Sequence, residues 1–384
     1  MIKRTAEKRL IHLNGMFKVV AVTGPRQSGK TTLVKNVFPD KPYVNLENPD
    51  VRRFSIDDPR GFLSEYPEGA IIDEAQRNPE LFSWLQEIVD TKSEKGQFIL
   101  TGSNNFLLNE KISQSLAGRV AYLNLLPFSL EEIEGNFPGK TENEHILQGF
   151  YPPIYDQQLP YDEWIPNYIK TYIERDVRQI KNITDLLVFE RFMRLLAGRT
   201  GQELNYTSLS VEAGVDVKTI QSWIGILESS FIIFLLRPFY KNFNKTIVKR
   251  PKLYFYDSAI ACSLLQIRTI NHLINHPLRG ALFECFMIAE VVKKQMNGGK
   301  EFELYFWRDK TGREIDLIID TPSETIPVEI KAGKTVHQEF FKNIRYWLNL
   351  SGEKNGKVLY AGDTEQKRSE GIEVVCWKNV HTKI

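Results

Sequence analysis

The chain has 384 residues, 50 lysines and arginines against 48 aspartates and glutamates, a net charge of +2 and 42% hydrophobic residues. At about 150 residues per domain this is chain enough for two or three domains, each with its own core. The near-neutral balance excludes a polyanion-binding face spread over the whole chain, so any nucleic-acid surface is local. Cys262, Cys285 and Cys376 are widely spaced and lack CxxC or histidine partners, which argues for reduced core thiols and against a disulfide framework or zinc site. The amphipathic start MIKRTAEKRL has no apolar signal region, and no run approaches the about 18 apolar residues that span a bilayer. A cytoplasmic protein without a membrane partner is expected, and with no internal repeat it is not a solenoid.

In chain order, apolar β-branched runs predict strands at Lys18 to Thr23, Tyr43 to Leu46, Ala70 to Ile72, Gln97 to Thr101 and Ala121 to Leu125, alternating with helical patterns. That alternation predicts a parallel sheet covered on both faces. The first strand runs into GPRQSGKTTL, a phosphate-binding loop in its required strand, loop, helix context. Gly24 and Gly29 let the backbone curl so that amides face phosphate oxygens, Lys30 supplies charge, and Thr31 offers its hydroxyl to Mg²⁺. Arg26, Gln27, Ser28 and Thr32 complete the candidate ATP-binding set, with Arg26 a second candidate for phosphate contact. In GAIIDEAQ, an apolar strand ends in two acids. Either Asp73 holds Mg²⁺ and Glu74 polarises the attacking water, or both carboxylates cap the following helix PELFSWLQEIV. The strand QFILTGSN ends in Ser103 and Asn104, which either sense the γ-phosphate or form an ordinary turn.

The order GPRQSGKTTL, IIDEAQ, LTGSN, SLAGRV and LLPFSLEEI resembles, over the whole chain, the AAA+-type P-loop ATPases of bacteria and archaea with a C-terminal half of the "domain of unknown function 4143" type. The resemblance implies Mg²⁺-dependent ATP hydrolysis by a homo-oligomer, a hexameric ring being common among related ATPases. It also offers Arg119, in LAGR, as an arginine acting on a neighbouring subunit's γ-phosphate. A surface arginine at the start of the next strand is the alternative.

A first boundary is expected near residue 140, leading into GFYPPIYDQQLP, where the paired prolines argue against a helix. Asp162 to Lys181 has helical spacing and carries the charged cluster Glu174, Arg175 and Asp176, which resembles a family signature or else forms surface ion pairs. From Leu186 to Phe239 the segments follow the order of a winged helix-turn-helix. Gly214 stands at the tight turn and Asp216 caps the third helix, whose exposed face carries Thr219 and Gln221. The expected wing, Tyr240 to Lys252, interleaves Lys241, Lys245, Lys249, Arg250 and Lys252 with Tyr240 and Phe243, so its cations would meet DNA phosphates. Such modules also pack and dimerise.

In the last third, Arg279 to Lys294 reads as a helix with Glu284 in its apolar stripe, followed by strands at Glu303 to Trp307, Glu314 to Ile319 and Ile326 to Lys331. Glu329 and Lys331, two apart, share one strand face. With Asp316 the constellation is similar to a PD-(D/E)XK nuclease core. That resemblance implies Mg²⁺ on Glu284, Asp316 and Glu329 and a nucleophile positioned by Lys331; a cross-strand salt bridge in an inactive nuclease-like fold is the alternative.

The expected fold class is α/β: a P-loop NTPase parallel sheet (1–140), a helical and winged-helix domain (141–252) and a small nuclease-like lobe (253–384). The expected function is ATP hydrolysis coupled to DNA binding or remodelling. An ATP-gated endonuclease and a protein-binding signalling ATPase are the alternatives.

Overall fold

The computed structural model describes residues 2–102, 116–172, 185–240, 249–300 and 303–384. Ser103, Asn104, Glu174, Arg175, Asp176, Lys241, Phe243 and Lys245 lie outside the described residues. The chain divides into two compact units. The first holds Met1–Phe128, Ser229–Phe231 and Gln295–Glu301, and the second holds Ser129–Glu228, Ile232–Lys294 and Phe302–Ile384.

The first unit is built on a parallel sheet of β1 (Val19–Thr23), β2 (Tyr43–Asn45), β3 (Ile71–Asp73), β4 (Phe98–Gly102) and β5 (Val120–Asn124), in the order β2-β3-β4-β1-β5. The five strands begin and end within two residues of the expected runs. Successive residues of β1 feed opposite cores, as a strand buried on both faces requires. Val19 and Ala21 pack with Phe62, Phe82 and Leu85 on one side. Val20 and Val22 pack on the other with Leu33 and Val34 of α2 (Lys30–Val37) and with Leu10 and Leu13 of α1 (Glu7–Met16). The first face is closed by α3 (Pro49–Asp57), α4 (Pro59–Ser64) and α5 (Leu81–Thr91). This is the P-loop NTPase sheet, with β4 between β1 and β3.

In the second unit, capping boxes start α6 (Leu130–Glu134) at Ser129 and α7 (Glu142–Gln148) at Thr141. Contrary to expectation, the paired prolines open a helix, α8 (Pro152–Asp156). Proline is disfavoured in helix interiors, but in the first turn its missing N–H has no partner to lose. After α9 (Tyr161–Tyr172) come α10 (Leu186–Ala197), α11 (Tyr206–Ala213) and α12 (Val217–Ser229). Gly214 ends α11 at φ +74°, and Asp216 accepts the Thr219 amide at 2.9 Å, so the turn and the cap lie where the sequence puts them.

The second sheet has the order β12-β13-β11-β10-β9-β8-β6-β7. Its members are β6 (Ile233–Pro238), β7 (Lys252–Phe255), β8 (Leu304–Arg308), β9 (Glu314–Asp320), β10 (Thr325–Lys331), β11 (Gly356–Tyr360), β12 (Gln366–Lys367) and β13 (Ile372–Cys376). The strands on either side of the segment expected as a wing belong to this sheet, β6 pairing antiparallel with β7 and parallel with β8; the last residue of that segment, Lys252, begins β7, and residues 241–248 lie outside the described residues. The helices α13 (Ser258–Leu264), α14 (Ile270–Asn275) and α15 (Arg279–Asn297) precede β8. Between β10 and β11, α16 (Lys342–Ser351) sets Ile344 and Trp347 into a core with Ile318 and Val358.

Candidate nucleotide site and carboxylate centre

At the carboxyl end of β1 the chain turns through Gly24 at φ +153°, where a Cβ would stand 2.1 Å from the Leu125 carbonyl oxygen, so only glycine lets the loop lie against the end of β5. Gln27 and Glu74 are held at φ +61° and +55°, left-handed conformations that are uncommon for non-glycine residues. Gly29, at φ +89°, stands directly before α2. Lys30 begins that helix and folds back into the loop, its Nζ donating to the Gly24 carbonyl at 3.1 Å and the Pro25 carbonyl at 2.7 Å. Loop, lysine and helix start therefore converge on one concavity, the arrangement that takes a polyphosphate.

Thr31 donates to the Asp73 carboxylate at 3.0 and 3.2 Å, joining the loop to the end of β3. Two residues not singled out in the sequence also hold Asp73: Tyr43 donates from β2 at 2.8 Å and Thr101 donates from β4. Burial and this bond to Asp73 raise the Tyr43 phenol above its ordinary pKa. Next along the chain, Glu74 accepts from Gln76 Nε2 at 2.6 Å. A hydroxyl and a carboxylate, both hard oxygen donors, meet at the mouth of the loop, and this donor set fits Mg²⁺. The hydroxyl of Ser28 is fully buried and has no hydrogen-bond partner among the described residues. Arg4, also missed, is buried behind the loop and donates to the Ser28 and Leu126 carbonyls, each at 2.7 Å. No sequence signal separates Arg4 from its basic neighbours, whereas Tyr43 becomes legible once β2 is known to lie beside β3.

Arg119 immediately precedes β5, whose Val120 lies beside Val19 at the start of β1. It is at the end of the sheet opposite the phosphate loop and pairs with Asp90, Nη2 lying 2.8 Å from Oδ2. It is not part of the nucleotide site of its own chain.

In the second unit, α15 supplies Glu284, β9 supplies Asp316, and β10 supplies Glu329 and Lys331. Asp316 Oδ2 accepts from the Ile330 amide at 2.7 Å and from Lys331 at 3.2 Å, and Lys331 also pairs with Glu329. Glu284 Oε1 accepts from Tyr254 at 2.6 Å and from Lys252 at 3.3 Å, and Lys252 further pairs with Glu314. Lys252 is thus a correction: expected among wing cations facing phosphate, it is 3% exposed. The carboxylates of the C-terminal sheet take it in because they need a countercharge.

Burial pushes Glu284 up to about 7 and Glu329 up to about 8, in each case with Asp316 adding to the rise and a lysine opposing it. Burial opposes ionisation of Asp316 too, but Lys331, Lys252 and the Ile330 amide outweigh it and lower its pKa. Among the described residues no three acidic, histidine or cysteine side chains are grouped so as to hold a metal ion. Lys252 and Lys331 pair with the expected Glu284, Asp316 and Glu329 set, while Glu329 Oε1 is buried with no hydrogen-bond partner among the described residues.

Three family models match in succession: an AAA domain over residues 16–134, a domain of unknown function (DUF8612) over 139–271, and a domain of unknown function (DUF4143) over 279–380. The uncharacterized proteins Mb2031c of Mycobacterium bovis and Rv2008c of Mycobacterium tuberculosis are each 30% identical over 339 residues, covering 87% of this chain and 74% of theirs. Among solved structures, the Walker-type ATPase PABY2304 of Pyrococcus abyssi aligns at 16% identity over 69% of this chain and 96% of its own, with a TM-score of 0.45. No helix among the described residues is long and apolar enough to cross a membrane.

Proposed function

Since this chain belongs to the P-loop ATPases of the DUF4143 type, with an AAA domain ahead of that region, we propose that it hydrolyses ATP to ADP and phosphate and couples the cycle to DNA as an oligomeric motor or switch. The observation that carries the ATPase reading is the junction of Thr31 and Asp73 at the mouth of the loop, with Glu74 next to it. Gly24, Gln27, Ser28 and Gly29 cradle the triphosphate, Thr32 lies in the first turn of α2, and Arg26 and Lys30 bring charge to it. Thr31 and Asp73 would hold Mg²⁺, which would offset the charge of the triphosphate. Glu74 orients a water and takes its proton as the water attacks the γ-phosphorus and ADP leaves. Gln76 fixes the position of that carboxylate. Arg119, placed away from its own loop, acts on the nucleotide of a neighbouring subunit, which makes the assembly a ring.

The DNA half of the proposal is supported by α10, α11 and α12, with the αL turn at Gly214, the Asp216 cap and Gln221 exposed on the third helix. The test measures ATP turnover with Mg²⁺, with and without duplex, forked and four-way-junction DNA, following the labelled strands. Stimulated turnover with retention or rearrangement of DNA is expected. Lys30→Ala loses tight ATP binding, Glu74→Gln binds ATP without turning it over, and Arg119→Ala binds ATP but turns over slowly. Turnover that survives both Lys30→Ala and Glu74→Gln refutes the ATPase site. Turnover indifferent to every DNA removes the DNA half and leaves a protein-binding switch.

A further inference from the structure

The phosphate loop is fastened near both of its ends to one short stretch of chain, the residues that follow β5. Leu125 donates its amide to the Thr23 carbonyl at 2.7 Å, and the Thr23 hydroxyl donates to Asn124 Oδ1 at 2.6 Å, which holds this stretch beside the end of β1. Gly24 opens the loop against the Leu125 carbonyl. Ser28, toward the loop's other end, is tied to the same stretch through Arg4. Its Nη1 donates to the Ser28 carbonyl and its Nη2 to the Leu126 carbonyl, each at 2.7 Å, while the Phe128 ring centre lies 4.8 Å from Cζ. A planar guanidinium carries donors on separate nitrogens and so spans two carbonyls in one fixed geometry. Its base is fixed as well. The Arg4 carbonyl accepts the Glu7 amide at 3.2 Å, which leads the chain into α1, and that helix packs Leu10 and Leu13 against β1.

Arg4 reaches the inside of the loop through a single peptide bond. The Ser28–Gly29 peptide is trans, so its carbonyl and its N–H point in opposite directions. With the carbonyl held on Arg4, the Gly29 amide faces away from the guanidinium. A hydrogen bond from a charged donor is about twice as strong as a neutral one and polarises the group that accepts it. The Gly29 N–H, directly before α2, is thereby both oriented and made a better donor. Given the ATPase reading of this loop, we propose that Arg4 is a positioning residue of the nucleotide site: by clamping the Ser28 carbonyl to Leu126 it aims the Gly29 amide at the phosphates of ATP and ADP, touching neither nucleotide itself.

The test compares the unaltered full chain with Arg4→Gln and Arg4→Lys, titrating MgATP and MgADP by calorimetry well below the melting transition. Arg4→Gln should weaken both nucleotides by about tenfold, the scale of one charge-assisted hydrogen bond. KM for ATP should rise in step while kcat changes by less than about threefold, because Thr31, Asp73 and Glu74 are left in place. Arg4→Lys, which keeps the charge without the fork, should lie between the two. A clamp that serves stability alone would lower the ligand-free melting point and leave both affinities of the folded chain unchanged, and that result overturns the proposal. So does a fall in kcat at constant KM. If Arg4→Gln does not fold, Arg4→Lys decides by the same affinities. Failure of the ATPase reading has a different signature: the unaltered chain does not bind MgATP, or Lys30→Ala binds it equally well, and the proposal then falls with that reading.

Discussion

Ser28→Ala should move stability and ligand affinity in opposite directions. The hydroxyl is fully buried in the phosphate loop without a hydrogen-bond partner among the described residues, and the ideal Cβ position of Gly24 lies 3.3 Å from its oxygen. A buried hydroxyl without a partner costs about 1–3 kcal/mol. Replacing it with a methyl hydrogen should therefore raise the ligand-free stability of the first unit by about 1 kcal/mol, a few degrees in its melting transition. With ATP present the hydroxyl donates to a phosphate oxygen, and a bond to a charged acceptor contributes about 1.5–3 kcal/mol, so the same change weakens MgATP by about 10- to 100-fold. Thermal unfolding with and without MgATP, beside a calorimetric titration, reads both signs at once, because the ligand-induced shift follows the logarithm of concentration over Kd. A less stable ligand-free variant, or an unchanged MgATP affinity, refutes the idea that this hydroxyl is kept for phosphate.

Gly24→Ala forces a Cβ to within 2.1 Å of the Leu125 carbonyl oxygen, so the loop must move off β5; MgATP binding by calorimetry should fall well beyond tenfold while the circular dichroism of the chain is retained. Glu290, fully buried, accepts the first amide of α6 (Leu130) at 2.6 Å, His381 Nε2 at 2.7 Å and Lys293 at 2.7 Å; Glu290→Ala removes the acceptor that these three buried donors share and should cost about 3–5 kcal/mol in urea unfolding. The two classes of buried carboxylate also set a pH profile. Burial opposes ionisation of Glu290, but Lys293 and His381 outweigh it and hold it at about 2, below its ordinary 4.5, so its contribution is full above pH 4.5 and lost as pH falls toward 2. Glu284 and Glu329, raised to about 7 and about 8, bind their protons more tightly when folded, so their contribution is full below 4.5 and lost as pH rises through 8. The urea midpoint of the second unit should therefore peak near pH 5, and a midpoint that climbs steadily from pH 5 to 9 would contradict the assignment.

What the sequence makes legible follows from how local the physics is. The phosphate loop is specified within a few residues, because the glycine positions, the lysine and the start of α2 must follow one another for the amides to converge, and the strand before them is apolar on both faces. Asp73 is legible for a similar reason, as the polar end of an otherwise buried strand. The strand order is not, because nothing within LTGSN says that β4 lies between β1 and β3. That insertion brings Thr101 to Asp73, and the neighbouring β2 brings Tyr43. The proline pair that opens α8 misleads for the complementary reason, since the same residue is disfavoured in a helix interior and favoured in its first turn.

The charged stretch after Phe239 shows where local reasoning stops. Five cations between Tyr240 and Lys252 look equivalent in sequence, and solvation is the default for such a run. Their fates are decided by whether a carboxylate from elsewhere reaches them. Lys249 and Arg250 remain exposed, while Lys252, two residues on, begins β7 and is buried against acids that lie 32 and 62 residues further along the chain. The sheet imposes that difference: pairing β6 with β7 draws residue 252 inward, and β9 and α15 deliver Glu314 and Glu284 to meet it. A lysine at the end of a charge run can be taken for a phosphate contact only if the next strand leaves it outside, and here Glu284 and Glu314 bring it in.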